Sequence, residues 1–189
     1  MYGEWIQDYE SAYFLHMDSG YYLYLPCMIE DDYVHTYVFQ LDPTSGSYTY
    51  VDMFEEEFSH HPYDVDWVSL ASRFDVMGTC FMSANYSLNQ SHAIPQIFEK
   101  SFDNYRTLVK TKAELAAYDE NGNSITIPAG KVLQFLTYNT EVRMARVVVL
   151  DEDMSKWTIA LLEADDSHYP PTVAGKPQDD VLSGLFYAG

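Results

Sequence analysis

The densest set of metal-ligating side chains lies in SHHPYD (59–64), where His60, His61 and Asp64 fall within five positions. Adjacent side chains of an extended segment point to opposite faces, so both imidazoles reach one ion only if the chain turns. Pro62 permits such a turn. Zinc wants three or four ligands, each held by further hydrogen bonds. The other histidines, His16, His35, His92 and His168, are scattered. A solvated loop is the expected state of the segment, and no resident metal or other cofactor is expected.

The acidic turns offer weaker cation chemistry. DENGN (119–123) alternates oxygen ligands like the opening of a calcium loop. Its glycine stands fourth instead of sixth, and Gly130 occupies the twelfth position, where a bidentate Glu is needed. A hairpin turn explains it better. DEDMS (151–155) and EADDSH (163–168) are ordinary acidic turns that leave weak Ca²⁺ binding open.

Catalytic arrangements are as thin. Glycosidases set two carboxylates about 5 to 9.5 Å apart, and 29 acids beside 17 Tyr, 10 Phe and 3 Trp make such a pair easy to find by accident. No G-x-S-x-G elbow occurs, Cys80 in GTCFM has no identifiable histidine partner, and no glycine-rich phosphate loop is present. No motif for an enzyme stands above chance.

Charge excludes more than motifs do. Ten Lys and Arg against 29 Asp and Glu give a formal net charge of -19. Such a surface repels phosphate backbones and anionic membranes, so nucleic acid is not expected as a partner. The acidic balance fits a soluble exported protein. No apolar run approaches the ~20 residues that span a bilayer, so no transmembrane segment is expected. The start, MYGEWIQDYESAYF, lacks a basic region followed by an apolar core. The expectation is an extracellular or surface-anchored chain whose leader has been removed. Cys27 and Cys80 allow one disulfide, but Cys27 shares a strand face with Leu23 and Leu25, which favours a buried free thiol.

What would position these side chains is a β framework, which the aromatic richness favours. Residues 9 to 53 read as a four-stranded meander: Ala12 to Met17, Tyr21 to Ile29, Tyr33 to Leu41, and SYTYV, with turns at DSG, EDD and DPTSG. The two central strands are apolar on both faces, where a sheet with one wet face would alternate. Four short strands in about 45 residues match one propeller blade, whose faces are both covered, yet no second copy of the pattern follows. FEEEFSHHPYDVD (54–66) reads as a polar connection. Strands follow at Val68 to Phe74 and about Thr79 to Ala84, and NQSHAIPQIFEKSFDNY (89–105) reads as a long loop.

The second half offers five or six short strands in about 60 residues, which suggests closure into a small barrel. The expected inward residues are Val148, Leu150, Ile159 and Leu161, each pair sharing one side of a strand. The tail, after a proline-rich linker, is expected to make one or two helical turns within Asp179 to Ala188. The domain reading is therefore 1–104, a blade-like antiparallel meander with a long loop, and 105–189, a small barrel with a tail.

The segment KTKAELAAYDENGNSITIPAGKVLQFLTYN, continued by ARVVVLDEDMSKWTIALLE, resembles bacterial SH3-like domains. The wider run from SLASRFDVMG to DDVLSGLFYAG resembles the C-terminal region of secreted proteins or lipoproteins of gut Firmicutes, in which propeller-like repeats precede such a segment. The resemblance implies a mainly β fold and export. It carries over no functional residue, and residues 85 to 104 depart from it.

These readings converge on a non-catalytic extracellular binding or scaffolding module at the bacterial cell surface. The alternative class is a carbohydrate-active enzyme (a glycoside hydrolase) or a fragment of one. A protein or a cell-wall glycan would be the ligand. Tyr22, Tyr24 and Tyr37 mark the expected interaction surface, covered by self-association or by a neighbouring domain of a longer parent.

Overall fold

The computed structural model describes residues 12–28, 34–59, 68–86, 93–94, 98–102, 108–151, 154–167 and 169–187. The chain is mainly β and divides into two compact units, 1–73 with 83–97 and 74–82 with 98–189.

The first unit is built on a four-stranded antiparallel sheet in chain order: β1 (Tyr13–Met17), β2 (Gly20–Met28), β3 (Val34–Asp42) and β4 (Ser47–Phe54). Its turns follow from residue chemistry. Asp18 and Ser19 make the two-residue connection that sets Met17 opposite Gly20. In DPTSG, the Asp42 carboxylate accepts from the Thr44 amide at 2.8 Å and from the Ser45 hydroxyl at 2.7 Å. The EDD turn lies outside the described residues. Within the stretch expected to be a mere polar connection, a short β5 (Glu57–Phe58) pairs with β6 (Val68–Phe74). The unit's core gathers Leu15, Met17, Tyr22, Tyr24 and Val38 from the sheet with Phe54, Phe58, Val68, Leu70 and Ala93. Tyr24 is fully buried, and its hydroxyl donates to the Ala93 carbonyl at 3.0 Å. Burial holds that phenol's pKa well above the usual range. Tyr24→Phe keeps the ring but leaves the carbonyl without its donor. It is expected to cost about 1–2 kcal/mol in chemical denaturation, and an unchanged midpoint would show that the bond adds nothing.

The second unit includes the first residues of β7 (Cys80–Tyr86), then β8 (Glu99–Phe102), β9 (Leu108–Thr111), β10 (Leu115–Tyr118), β11 (Ser124–Ile127), β12 (Val132–Asn139), β13 (Met144–Leu150) and β14 (Trp157–Asp165). Two-residue strands β15 (Thr172–Val173), β16 (Lys176–Pro177) and β17 (Leu182–Ser183) complete it, with one helical turn, α1 (Gln178–Val181), that overlaps only the first residues of the segment expected to be helical, where β17 follows instead. The antiparallel order is β11-β10-β14-β13-β12-β8, with β9 joining β12 to β17.

Three expectations change here. Residues 99–102 form a strand where a long loop was expected. Lys100 and Phe102 alternate inward, and the ladder runs from Thr137↔Ser101 to Asn139↔Glu99. An inward lysine hides the alternation from a reading by polarity, because its alkyl stem is what the sheet covers. Second, the ladders do not close into a barrel: among the described residues none joins β11 to β17. A bulge between Phe135 and Thr137 gives the two halves of β12 to different partners, β9 and β8.

Third, the inward phase of β13 and β14 is opposite to the expected one. Ala145, Val147, Val149, Ala160, Leu162 and Ala164 are buried, whereas Val148, Leu150, Ile159 and Leu161 are half-buried on the other side. Small alanines let these central strands sit close to Leu115, Leu133, Phe135 and Tyr138, so side-chain size misreports direction.

Asp119 closes the β10–β11 hairpin as the turn reading requires. Its Oδ1 accepts from the Asn121 and Asn123 amides at 2.9 and 2.8 Å, and its Oδ2 from Asn123 Nδ2 at 2.9 Å. These bonds, the Asn123 side chain first, hold its carboxyl below the usual range. The hairpin's stabilisation by Asp119 is then complete above the ordinary carboxylate pKa of about 3.9 and lost as pH falls through the lowered value. A carbon-detected NMR titration should place the Asp119 midpoint below that reference. A midpoint at or above it would contradict the turn geometry.

Candidate functional site

Period-two alternation sorts the first sheet into two faces. Ladder partners Leu15↔Tyr22, Tyr13↔Tyr24 and Tyr24↔Val38 share the face turned to the unit's core. Partners Phe14↔Leu23, His16↔Tyr21, Leu23↔Phe39, Leu25↔Tyr37 and Phe39↔Tyr50 share the other. This second face is a row of rings. His16 stacks on Tyr21 with centroids 4.3 Å apart and planes 18° from parallel, and Phe14 stacks on Tyr21 at 6.0 Å. At its other side Tyr50 stands edge-on to Phe39 at 5.7 Å and tilted to Tyr37 at 6.5 Å. Phe14, Tyr48 and Tyr50 remain about half exposed, at 51, 51 and 52%. Aromatic pairs at these spacings hold one another in place without a lid.

The expected interaction residues therefore separate. Tyr22 and Tyr24 are core residues and form no surface, since their face meets Phe54 and Phe58. Tyr37 alone of the three lies on the outer face. Residues not singled out from the sequence, Phe14, His16, Tyr21, Phe39, Tyr48 and Tyr50, make up most of it. The signal was His16: a polar ring between Leu15 and Met17 marks which phase of β1 looks outward, and the two-residue turn carries that phase to β2.

The charge around this face is one-sided. No Lys or Arg occurs before Arg73, and the first unit holds 14 Asp and Glu against that single Arg, a formal charge of -13. Asp18 and Asp42 lie at the same end of the sheet, where Gln40 Nε2 also donates to the Ser19 carbonyl at 3.3 Å, and Asp52 is exposed on β4.

Among the described residues the second unit carries a cleft of about 220 Å³, lined by Ile125, Ile127, Pro128, Val149, Lys156 and Trp157, with Lys131 and Asp151 paired as ions in its wall. Trp157 is 68% exposed. Among the described residues Asp151 is the one carboxylate there, and its charge is taken up by Lys131.

His60, His61 and Asp64 lie outside the described residues, as do Glu152, Asp153 and His168. Asp165 Oδ1 already accepts from Arg143 and from the Ser167 amide, both at 2.9 Å. Among the described residues no group of three or more His, Cys, Asp or Glu is arranged to hold a metal. Cys27 and Cys80 are both buried as thiols. No helix among the described residues is long and apolar enough to cross a membrane.

The fold and face define an antiparallel β protein with an aromatic sheet surface. No family model, curated protein or solved structure matches the chain.

Proposed function

We propose that this protein is a non-catalytic binding or scaffolding module that works outside the cell at a bacterial surface, with the outer face of the first sheet as its contact surface. The observation that carries the reading is the ring row itself. A second apolar face of a sheet normally finds cover, and here Phe14, Tyr48 and Tyr50 stand half exposed on it. Tyrosine suits such a contact because its ring packs while its hydroxyl stays wet. The acidic balance and the resemblance to secreted chains support the location.

A glycosidase needs two carboxylates about 5 to 9.5 Å apart beside its sugar platform. Among the described residues the cleft at Trp157 offers Asp151 alone, already paired with Lys131. The full chain should therefore hydrolyse nothing in a broad glycan and peptide panel, while a ligand found in the same panel shifts amide resonances of β2 to β4. Turnover that disappears on replacing one carboxylate would overturn the reading, as would a ligand that shifts only the second unit.

A further inference from the structure

The outer face is bordered at one end by Asp18 and Asp42 and holds no Lys or Arg, and this combination selects among its possible occupants. A second copy would set -13 against -13 across the contact, and like charges suppress association. A neutral glycan would gain nothing from the field. A cation gains twice, from the negative potential and from the negative faces of the rings, provided it comes within about 6 Å of a centroid. We propose, on the reading of this face as the contact surface, that its partner is a cationic protein segment whose Arg or Lys side chains lie over Phe39, Tyr37 and Tyr50.

The edge of the sheet says why the partner is an extended segment. β4 pairs only with β3 among the described residues, and six of its eight residues are exposed. Natural sheets blunt such an edge with lysine, proline, an inward charge or a bulge. Here the bulge at Val51 and the charge of Asp52 blunt only the far half of β4, and Ser47 to Tyr50 keep a regular ladder with no lysine, proline or charge. A strand added there would gain main-chain hydrogen bonds, and every second side chain would fall beside Tyr48 and Tyr50. Arg at alternate positions is the sequence that meets both the edge and the rings.

The test uses the full chain with a capped peptide of alternating Arg and Thr, a Gln-for-Arg control peptide, and a neutral chitin oligosaccharide. The Arg peptide is expected to bind about tenfold or more tighter than the control. Amide shifts should centre on β2 to β4, and affinity should fall on raising salt to about 0.5 M. Tyr50→Ser should weaken the Arg peptide about two- to fivefold with the thermal midpoint kept, and Tyr50→Phe should restore affinity because the ring remains. Equal binding of the two peptides would overturn the proposal. So would loss-free binding by Tyr50→Ser, because attraction to acid alone would then explain the contact. The oligosaccharide shifting the same face independently of salt, or dimerisation through it, would overturn the cationic partner while leaving the contact surface standing. If no probe perturbs the face, both readings fall.

Discussion

Leu162→Asp is expected to abolish cooperative folding of the second unit, while Ile159→Asp, three residues away on the same strand, leaves it folded. Leu162 is fully buried, opposite the equally buried Ala145. Replacing it removes a core leucine, which costs about 2–5 kcal/mol. It also places a carboxylate where no cation can reach, for several kcal/mol more. Domains of this size hold about 5–15 kcal/mol in total, so the sum consumes the stability of the unit. Ile159 is half-buried and faces the other way, opposite Val148. An aspartate there can reach water, and the expected loss is about 1–2 kcal/mol. Near-ultraviolet circular dichroism through a urea titration separates the two. A cooperative transition near the wild-type midpoint for Leu162→Asp, or a larger loss at Ile159 than at Leu162, would put the opposite phase back.

That contrast marks where sequence reading stops. Strands β1 to β4 and β9 to β14 are legible because turn residues punctuate them: Asp18 and Ser19, Asp42 to Gly46, Asp119 to Asn123. Turn chemistry is local, so it survives without knowledge of the partner strand. The inward phase is not local. Where both sides of a strand are apolar, as in VVVL (147–150), only the neighbouring strand decides which side is core. The same ambiguity placed Tyr22 and Tyr24 on a surface, although a two-residue register from His16 would have turned them inward. The closed barrel failed for a related reason. A bulge such as that between Phe135 and Thr137 adds a residue with no compositional mark, yet it shifts the phase of everything beyond it. It is this shift that brings Tyr138 into the core, where its hydroxyl donates to the Ala164 carbonyl at 3.0 Å.

The candidate surface was legible only as a question, namely what covers two apolar faces. The structure divides the answer. The core of the first unit covers one face, and the acids that flank the other sit in the turns at one end of the sheet. Composition reports their number but not their side of the sheet. Net charge gave the sign of the surface; only the division into units shows that -13 of the -19 resides with the aromatic sheet.

Gly78→Ala is expected to cost about 2–4 kcal/mol, far more than a single methyl group on a turn normally does. Gly78 sits at φ +88, and a Cβ there would lie 2.6 Å from the Phe186 carbonyl oxygen and 3.0 Å from its nitrogen. The left-handed backbone alone costs an alanine about 1–2 kcal/mol. Relieving the contact must also push Phe186 away, and its carbonyl accepts the Thr79 amide at 2.7 Å. Losing that bond adds about 1 kcal/mol or more. Gly46 supplies the control, since it has φ +70 with nothing within 4 Å of its Cβ position. Gly46→Ala should show the backbone cost alone. The same tail grips the turn a second time through Gln178, whose Oε1 accepts the Met77 amide and whose Nε2 donates to the Asp75 carbonyl at 3.2 Å. Gln178→Ala leaves that buried amide without a partner, at about 1–3 kcal/mol. Because both substitutions loosen one tail from one turn, the double variant should lose less than the sum of the two. Amide exchange at Thr79 should quicken in each. If Gly78→Ala matches Gly46→Ala in cost and leaves Thr79 protected, then Phe186 does not close over this turn, and the tail is not what holds it.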